Sequence, residues 1–125
     1  MKKEINSDKI AKAIGPYSHS VLAEGKFIFI SGQIALDIDG NMKGDTVKEQ
    51  TEKALSNLKL VVENAGGSIE SIVKTTVLMK DLSHFTEMNT IYAEFFGNSK
   101  PARAAYEVSR LPKDALIEIE AIAVI

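Results

Sequence analysis

With 125 residues, 45% of them hydrophobic and 26% charged, the chain has the size and composition of one globular domain and lies far from the signature of disorder. A formal charge of -2 leaves no surplus of Lys and Arg to neutralise phosphates, so a nucleic-acid partner is not expected. The absence of cysteine removes disulfides, thiolate catalysis and Cys-based metal sites, and no metal is expected.

The chain starts with charged residues and no apolar stretch follows them, and no uncharged apolar run approaches the roughly 20 residues of a membrane span. The expectation is a cytoplasmic protein without a membrane segment. A short strand near the start leads into Ala13-Ile14-Gly15-Pro16-Tyr17-Ser18, where Gly-Pro marks a loop and puts Tyr17 on irregular backbone. His19 and His84 neighbour no Ser/Asp pattern and no second histidine, so they read as surface or capping residues.

Val21-Leu22-Ala23 and Phe27-Ile28-Phe29-Ile30, around Glu24-Gly25-Lys26, carry the signal of a β-hairpin. The second run ends in Ser31-Gly32-Gln33, where a glycine lets backbone or ligand approach beside a hydroxyl. Asp37-Ile38-Asp39-Gly40-Asn41 is a polar turn that lacks the terminal glutamate and flanking helices of a calcium loop.

From Thr46 the apolar period changes to 3.6, with Val47, Ala54, Leu55, Leu58, Val61, Val62 and Ala65 on one helix face. Thr46-x-x-Glu49 has the form of a capping box, and Gly66-Gly67 supplies the stop. Ile72 to Met79 alternates and is β-branched, as a strand should be. A second helix is expected from a cap at Asp81 or Ser83, with Leu82, Phe85, Met88, Ile91, Tyr92, Phe95 and Phe96 inward, closed by Gly97 ahead of Pro101.

Two last strands run through Pro101-Ala102-Arg103-Ala104-Ala105-Tyr106 and Ile117-Glu118-Ile119-Glu120-Ala121-Ile122. Two helices can cover one face of a sheet built from these strands, which predicts a two-layer α+β sandwich over residues 1–125. Several strands are apolar on both sides, so the uncovered face reads as a subunit contact in a homo-oligomer.

The short link between the last two strands predicts antiparallel neighbours, with Arg103 opposite Glu120 within a residue or two. Such a pair supports two readings. It is a structural ion pair, or Arg103 holds a small carboxylic acid in a two-pronged grip while Glu120 handles a proton or a water. Asn89 on the second helix, Tyr17 and Ser31 have ordinary structural readings as well: a bond to a loop carbonyl, a loop anchor and a strand-end hydrogen bonder.

The chain resembles the RidA (YjgF) family of enamine/imine deaminases in Ala13 to Ser18, Ile30-Ser31-Gly32-Gln33-Ile34, Val73-Lys74-Thr75-Thr76-Val77, and above all Pro101-Ala102-Arg103, Val108 to Asp114 and Ile117 to Ala121. The resemblance implies a chorismate-mutase-like, ferredoxin-like-variant fold: a mixed sheet with two helices on one face, three copies forming a trimeric barrel with clefts between subunits. It further implies hydrolysis of 2-aminoacrylate, 2-iminopropanoate and related species to 2-keto acids and ammonia, without a cofactor. Arg103 would hold the substrate carboxylate and Glu120 the attacking water. Tyr17, Ser31, Gly32, Asn89 and backbone at Ala105 would complete the cleft. The family often has cysteine where this chain has Ala105, so no thiol serves the reaction here. The competing function is a non-catalytic sensor that binds a 2-keto acid in the same Arg103 cleft. Ribonuclease activity fits the charge balance poorly.

Overall fold

The computed structural model describes all residues, Met1–Ile125. Its strands are β1 (Lys2–Ile5), β2 (Ser20–Ala23), β3 (Phe27–Gln33), β4 (Ile72–Met79), β5 (Ala102–Glu107) and β6 (Ile117–Val124), and its helices are α1 (Val47–Asn64) and α2 (Phe85–Phe96). Single 3-10 turns precede β4, α2 and β6. Four strands form a mixed sheet in the order β3-β6-β4-β5, with only β4 and β5 parallel, and β1 and β2 pair separately. Both helices pack on one face of the mixed sheet, giving the expected α+β arrangement.

The ends of α1 follow from local chemistry. The Thr46 hydroxyl accepts the Glu49 N–H at 3.2 Å, while the Glu49 carboxylate accepts from the Thr46 hydroxyl and the Asp45 N–H. At the other end Gly66 has a φ of 95°, its N–H reaching the Glu63 carbonyl and that of Gly67 the Val62 carbonyl. This left-handed closure favours glycine. Val47, Ala54, Leu55, Leu58 and Val62 are buried as expected, Val61 is half-buried, and Ala65, past the last turn, is exposed. Gln50 is buried too, because its carboxamide donates to the Gly44 carbonyl and accepts from the Leu116 N–H.

On α2, Met88, Tyr92 and Phe96 are buried, with Phe85, Ile91 and Phe95 against the core. Asp81 caps the 3-10 turn that leads into α2, accepting the Ser83 N–H at 2.8 Å, while His84 precedes α2 itself without a side-chain capping bond. Leu82 is not inward but 38% exposed, because it sits on a 3-10 turn whose tighter winding rotates it off the α2 stripe.

Two strand pairings differ from those the local pattern predicts. β2 and β3 are not a hairpin: β2 pairs with β1 and β3 with β6. At the step between them the Lys26 N–H bonds the Ile125 carbonyl at 2.7 Å and the Ile125 N–H returns to the Lys26 carbonyl at 2.9 Å. Gly25, with a φ of 144°, is required there, since a Cβ would lie 2.4 Å from the Ile125 oxygen. A glycine turn between two strands is equally compatible with a step between sheets, and β6 offers β3 a longer apolar partner than β2 does.

Likewise β5 and β6 are not neighbours, because β4 lies between them. Residues 108–116 carry the chain past the end of β4, where the Val108 N–H bonds the Met79 carbonyl and the Lys80 N–H bonds that of Leu116. The turn there puts Lys113 and Asp114 at φ of 55° and 54°, braced by the Arg110–Asp114 ion pair and by Lys113 Nζ on the Gly40 carbonyl. β3 ends in Ser31-Gly32-Gln33 as expected, with a register shift between Ile30 and Gln33.

The face away from the helices carries Phe27 and Phe29, 58% and 76% exposed with their rings stacked, together with Tyr106, Ile122 and Leu78. No helix is long and apolar enough to cross a membrane.

Three carboxylates, Asp37 half-buried and Glu49 and Asp81 exposed, stabilise turns. Backbone N–H groups of Asn41, Asp45 and Ser83, respectively, are the leading cause holding Asp37, Glu49 and Asp81 below the usual carboxylate range. A depressed folded pKa contributes stability above the unfolded value of about 4 that is lost as pH falls through the folded one. The D37N/E49Q/D81N variant should therefore be less stable than wild type in urea near neutral pH, with the difference closing in strong acid. A difference that stays constant down to the acid limit would contradict this.

Candidate active site

Arg103 enters the structure two residues after Pro101, on edge strand β5 beneath α2. It pairs with Thr75 of β4, which is fully buried, so its side chain lies on the helix-covered face and is half-buried. Nη1 donates to Asn89 Oδ1 at 2.6 Å. The guanidinium carbon stands 4.7 Å from the centre of the Tyr92 ring, 5.4 Å from Phe85 and 5.6 Å from Tyr17. Aromatic faces attract a cation without neutralising it.

No carboxylate pairs with this cation. The ion pairs of the chain are Lys43–Asp37, Arg110–Asp114 and the contacts of His84 with Asp81 and Glu87. Burial lowers the Arg103 pKa, against the opposing influence of Tyr92 and Tyr17, and a guanidinium stays charged throughout the physiological range. Burial also pushes the Tyr92 phenol up to about 12, partly countered by the 2.7 Å bond to the Thr75 hydroxyl and by Arg103. Tyr92 is therefore a neutral wall beside the charge.

Tyr17 is brought to Arg103 by Ser18, which makes a parallel bridge to Ala102 and donates its hydroxyl to the Lys100 carbonyl. Gly15 is placed so that a Cβ would stand 3.2 Å from the Tyr17 ring and 3.7 Å from Arg103 Nη2. His19 pins this segment: Nδ1 accepts the Ser7 N–H at 3.0 Å and Nε2 lies 2.8 Å from the Ala11 carbonyl. Ala105 shares the face of Arg103 and packs against the core. Asn89 bonds the guanidinium and not a loop carbonyl.

Ser31 and Glu120 lie on the opposite face. There a cleft of about 450 Å³ is lined by Phe29, Ser31, Lys74, Thr76, Glu120 and Ile122 among others. The space beside Gly32, which the sequence reserves for close approach, is taken by the Glu118 carboxylate. Lys74 and Thr76 were not legible as site residues, since they read as the outward half of an alternating strand; only their place in the Val73-Lys74-Thr75-Thr76-Val77 motif singles them out.

The expected facing of Arg103 and Glu120 is thus corrected. Arg103 pairs across the sheet with Thr75 and Glu120 with Thr76, and consecutive residues of a strand point to opposite faces. Within one chain the structural ion pair does not form. Tyr17, Asn89, Ala105 and Arg103 thus form one group, and Ser31 and Glu120 another on the opposite face. The first can accept an external carboxylate; the second offers an exposed carboxylate and a hydroxyl to a water.

The sequence profile described as Endoribonuclease L-PSP matches residues 7–125. A RutC family protein of Pyrococcus abyssi is 52% identical over 124 residues, covering 98% of this chain and 96% of its own length. The human protein named 2-iminobutanoate/2-iminopropanoate deaminase is 42% identical over 125 residues, covering 99% of this chain and 90% of its own. Among solved structures, YyfB of Yersinia pestis, described as a protein of unknown function of the conserved Rid protein family, matches with a TM-score of 0.90 at 27% identity, over 99% of this chain and 98% of that one.

Replacing Tyr92 by Phe strands the buried Thr75 hydroxyl and should cost about 1–3 kcal/mol in urea unfolding. Asn89→Ala, whose half-buried partner Arg103 retains some access to water, should change stability by about 0.5 kcal/mol or less. Equal losses in the two variants would contradict this account of the site.

Proposed function

The chain belongs to the Endoribonuclease L-PSP (RidA) family, and we propose that it is a cytosolic deaminase that hydrolyses 2-enamine and 2-imine acids. 2-Aminoacrylate and 2-iminopropanoate are the intended substrates, giving 2-keto acids and ammonia and sparing pyridoxal-phosphate enzymes from reactive by-products. The observation that carries this reading is the Arg103 guanidinium, half-buried among three aromatic rings and bonded to Asn89 but to no carboxylate. A charge held in this way costs desolvation, and a bound carboxylate would offset it. The relative named for this activity supports the same substrate class.

In the proposed reaction the substrate carboxylate lies on Arg103, which fixes the imine carbon. An enamine first shifts a proton from nitrogen to its terminal carbon to become the imine. A water oriented by Glu120 and the Ser31 hydroxyl then adds its oxygen to the imine carbon. The two protons of the water reach nitrogen through Glu120, one as the C–O bond forms and one from the resulting carbinolamine hydroxyl. The C–N bond then breaks, and ammonia leaves as the carbonyl forms. The imine carbon is already electrophilic, so positioning supplies most of the acceleration, and the reading assigns no cofactor or metal.

Because Arg103 and Glu120 occupy opposite faces of one sheet, the reading requires two copies, one presenting Arg103 and Asn89, the other Ser31 and Glu120. A homotrimer with a cleft at each contact, built on the open face bearing Phe27 and Phe29, satisfies that requirement.

The test generates 2-aminoacrylate with a serine dehydratase and follows keto-acid appearance. Wild type should exceed buffer, and Arg103→Ala and Glu120→Gln should each lose about 100-fold or more. Refolding the two inactive variants together in equal amounts should restore roughly a quarter of wild-type activity, the fraction of contacts at which both intact halves meet under random mixing. Wild type no faster than buffer would refute the deaminase. Arg103-dependent keto-acid binding without turnover would establish a sensor in its place, and absence of any complementation would refute the shared site.

A further inference from the structure

β3 and β6 pair Ile30 with Ala121 and Gln33 with Ile119, so Ser31 and Gly32 together oppose the single residue Glu120. This is a β-bulge, a device that bends a strand and re-aims a side chain. Glycine is not needed at position 32 for its backbone, since Gly32 is absent from the positive-φ residues. What a side chain there would displace is Glu118: a Cβ on Gly32 would lie 2.7 Å from its Cδ, 2.8 Å from Oε2 and 2.9 Å from Cγ, so the carboxylate would have to leave its present place. Glu118 stands two residues from Glu120 on the same face and, unlike it, is half-buried.

We propose that Glu118 is a positioning residue of the cleft, its carboxylate seated on the bare Cα of Gly32 so that the Ser31–Gly32 bulge holds the Ser31 hydroxyl across from Glu120. Gly32 then serves the protein's own glutamate instead of leaving room for substrate. The neighbouring ladder residues Leu78 and Thr76, paired with Glu118 and Glu120, keep the two carboxylates at adjacent positions on one face. The inference rests on the deaminase reading only for the identity of the ligand.

A double-mutant cycle separates the two uses of Gly32. Wild type, Gly32→Ala, Glu118→Ala and the double variant are compared for kcat and KM on 2-aminoacrylate and, independently of turnover, for 2-oxobutanoate affinity by calorimetry. Each single change should lower kcat by about 10- to 100-fold, the scale of an ångström-sized misplacement. The double variant should be no worse than Glu118→Ala, because the clash created at position 32 has lost its partner. Glu118→Gln, which keeps the shape of the seat, should retain more activity than Glu118→Ala. Losses that multiply, a harmless Gly32→Ala, or a Glu118→Ala that behaves as wild type would overturn the proposal. Should wild type show no turnover, the deaminase reading falls, while the same cycle in 2-oxobutanoate affinity still decides for Glu118: coupled losses uphold it, multiplicative or absent losses overturn it. A wild type that neither turns over 2-aminoacrylate nor binds 2-oxobutanoate overturns both.

Discussion

The alternation of side chains along β4 decides on which side of the sheet each charged group of the candidate site lies. Thr75 and Thr76 are consecutive, so the partners they receive from the two flanking strands are sent to opposite sides of the sheet. One delivers Arg103 to the helix-covered side and the other delivers Glu120 to the open side. A guanidinium and a carboxylate that are close in every linear sense are thereby kept from neutralising each other. The threading of the chain around the end of β4, at the cost of two residues in left-handed backbone at Lys113 and Asp114, is what makes that separation possible.

Keeping a cation unpaired has its own physical requirements. Water still reaches part of Arg103, the Asn89 carbonyl oxygen takes one of its donors, and the ring faces of Tyr17, Phe85 and Tyr92 supply attraction that does not saturate the fork. Tyr92 can do this because burial keeps its phenol neutral and the bond between its hydroxyl and Thr75 fixes the ring. The residues that hold Arg103 come from α2 and the 15–18 segment, distant in sequence, the latter bonded to the start of β5 through Ser18. The ordering of that last segment depends in turn on His19, a residue remote from any chemistry.

How much of this could be read from the residues alone depends on how local each signal is. The capping box at Thr46 and Glu49 and the glycine stop at Gly66 are written within a few residues, and α1 ends where they say. Arg103 stood out because a charge among Ala102, Ala104 and Ala105 has no reason in a plain strand. The strand neighbours were illegible for the opposite reason. A glycine turn at Gly25 and a short link after Val108 look like hairpins, and nothing within either segment records that β6 will come to lie between β3 and β4. Once that pairing is unknown, face assignments for Glu120 relative to Arg103 are lost as well. Lys74, Thr76 and the seat of Glu118 on Gly32 belong to the same class of hidden feature.

The pairing of Ile125 with Lys26 bears on how the sheet is closed. β6 follows the other strands in sequence yet is an inner strand, with β3 on one side and β4 on the other, and Ile125 just beyond it bonds to the turn that precedes β3. The sheet is therefore held together by contacts between distant parts of the chain, a topology that favours slow closure. Without β6 in place, β3 and β4 would each present an unpaired edge to the surroundings. The opposite placement of Arg103 and Glu120 is accordingly a property of the closed sheet and of no shorter piece of it.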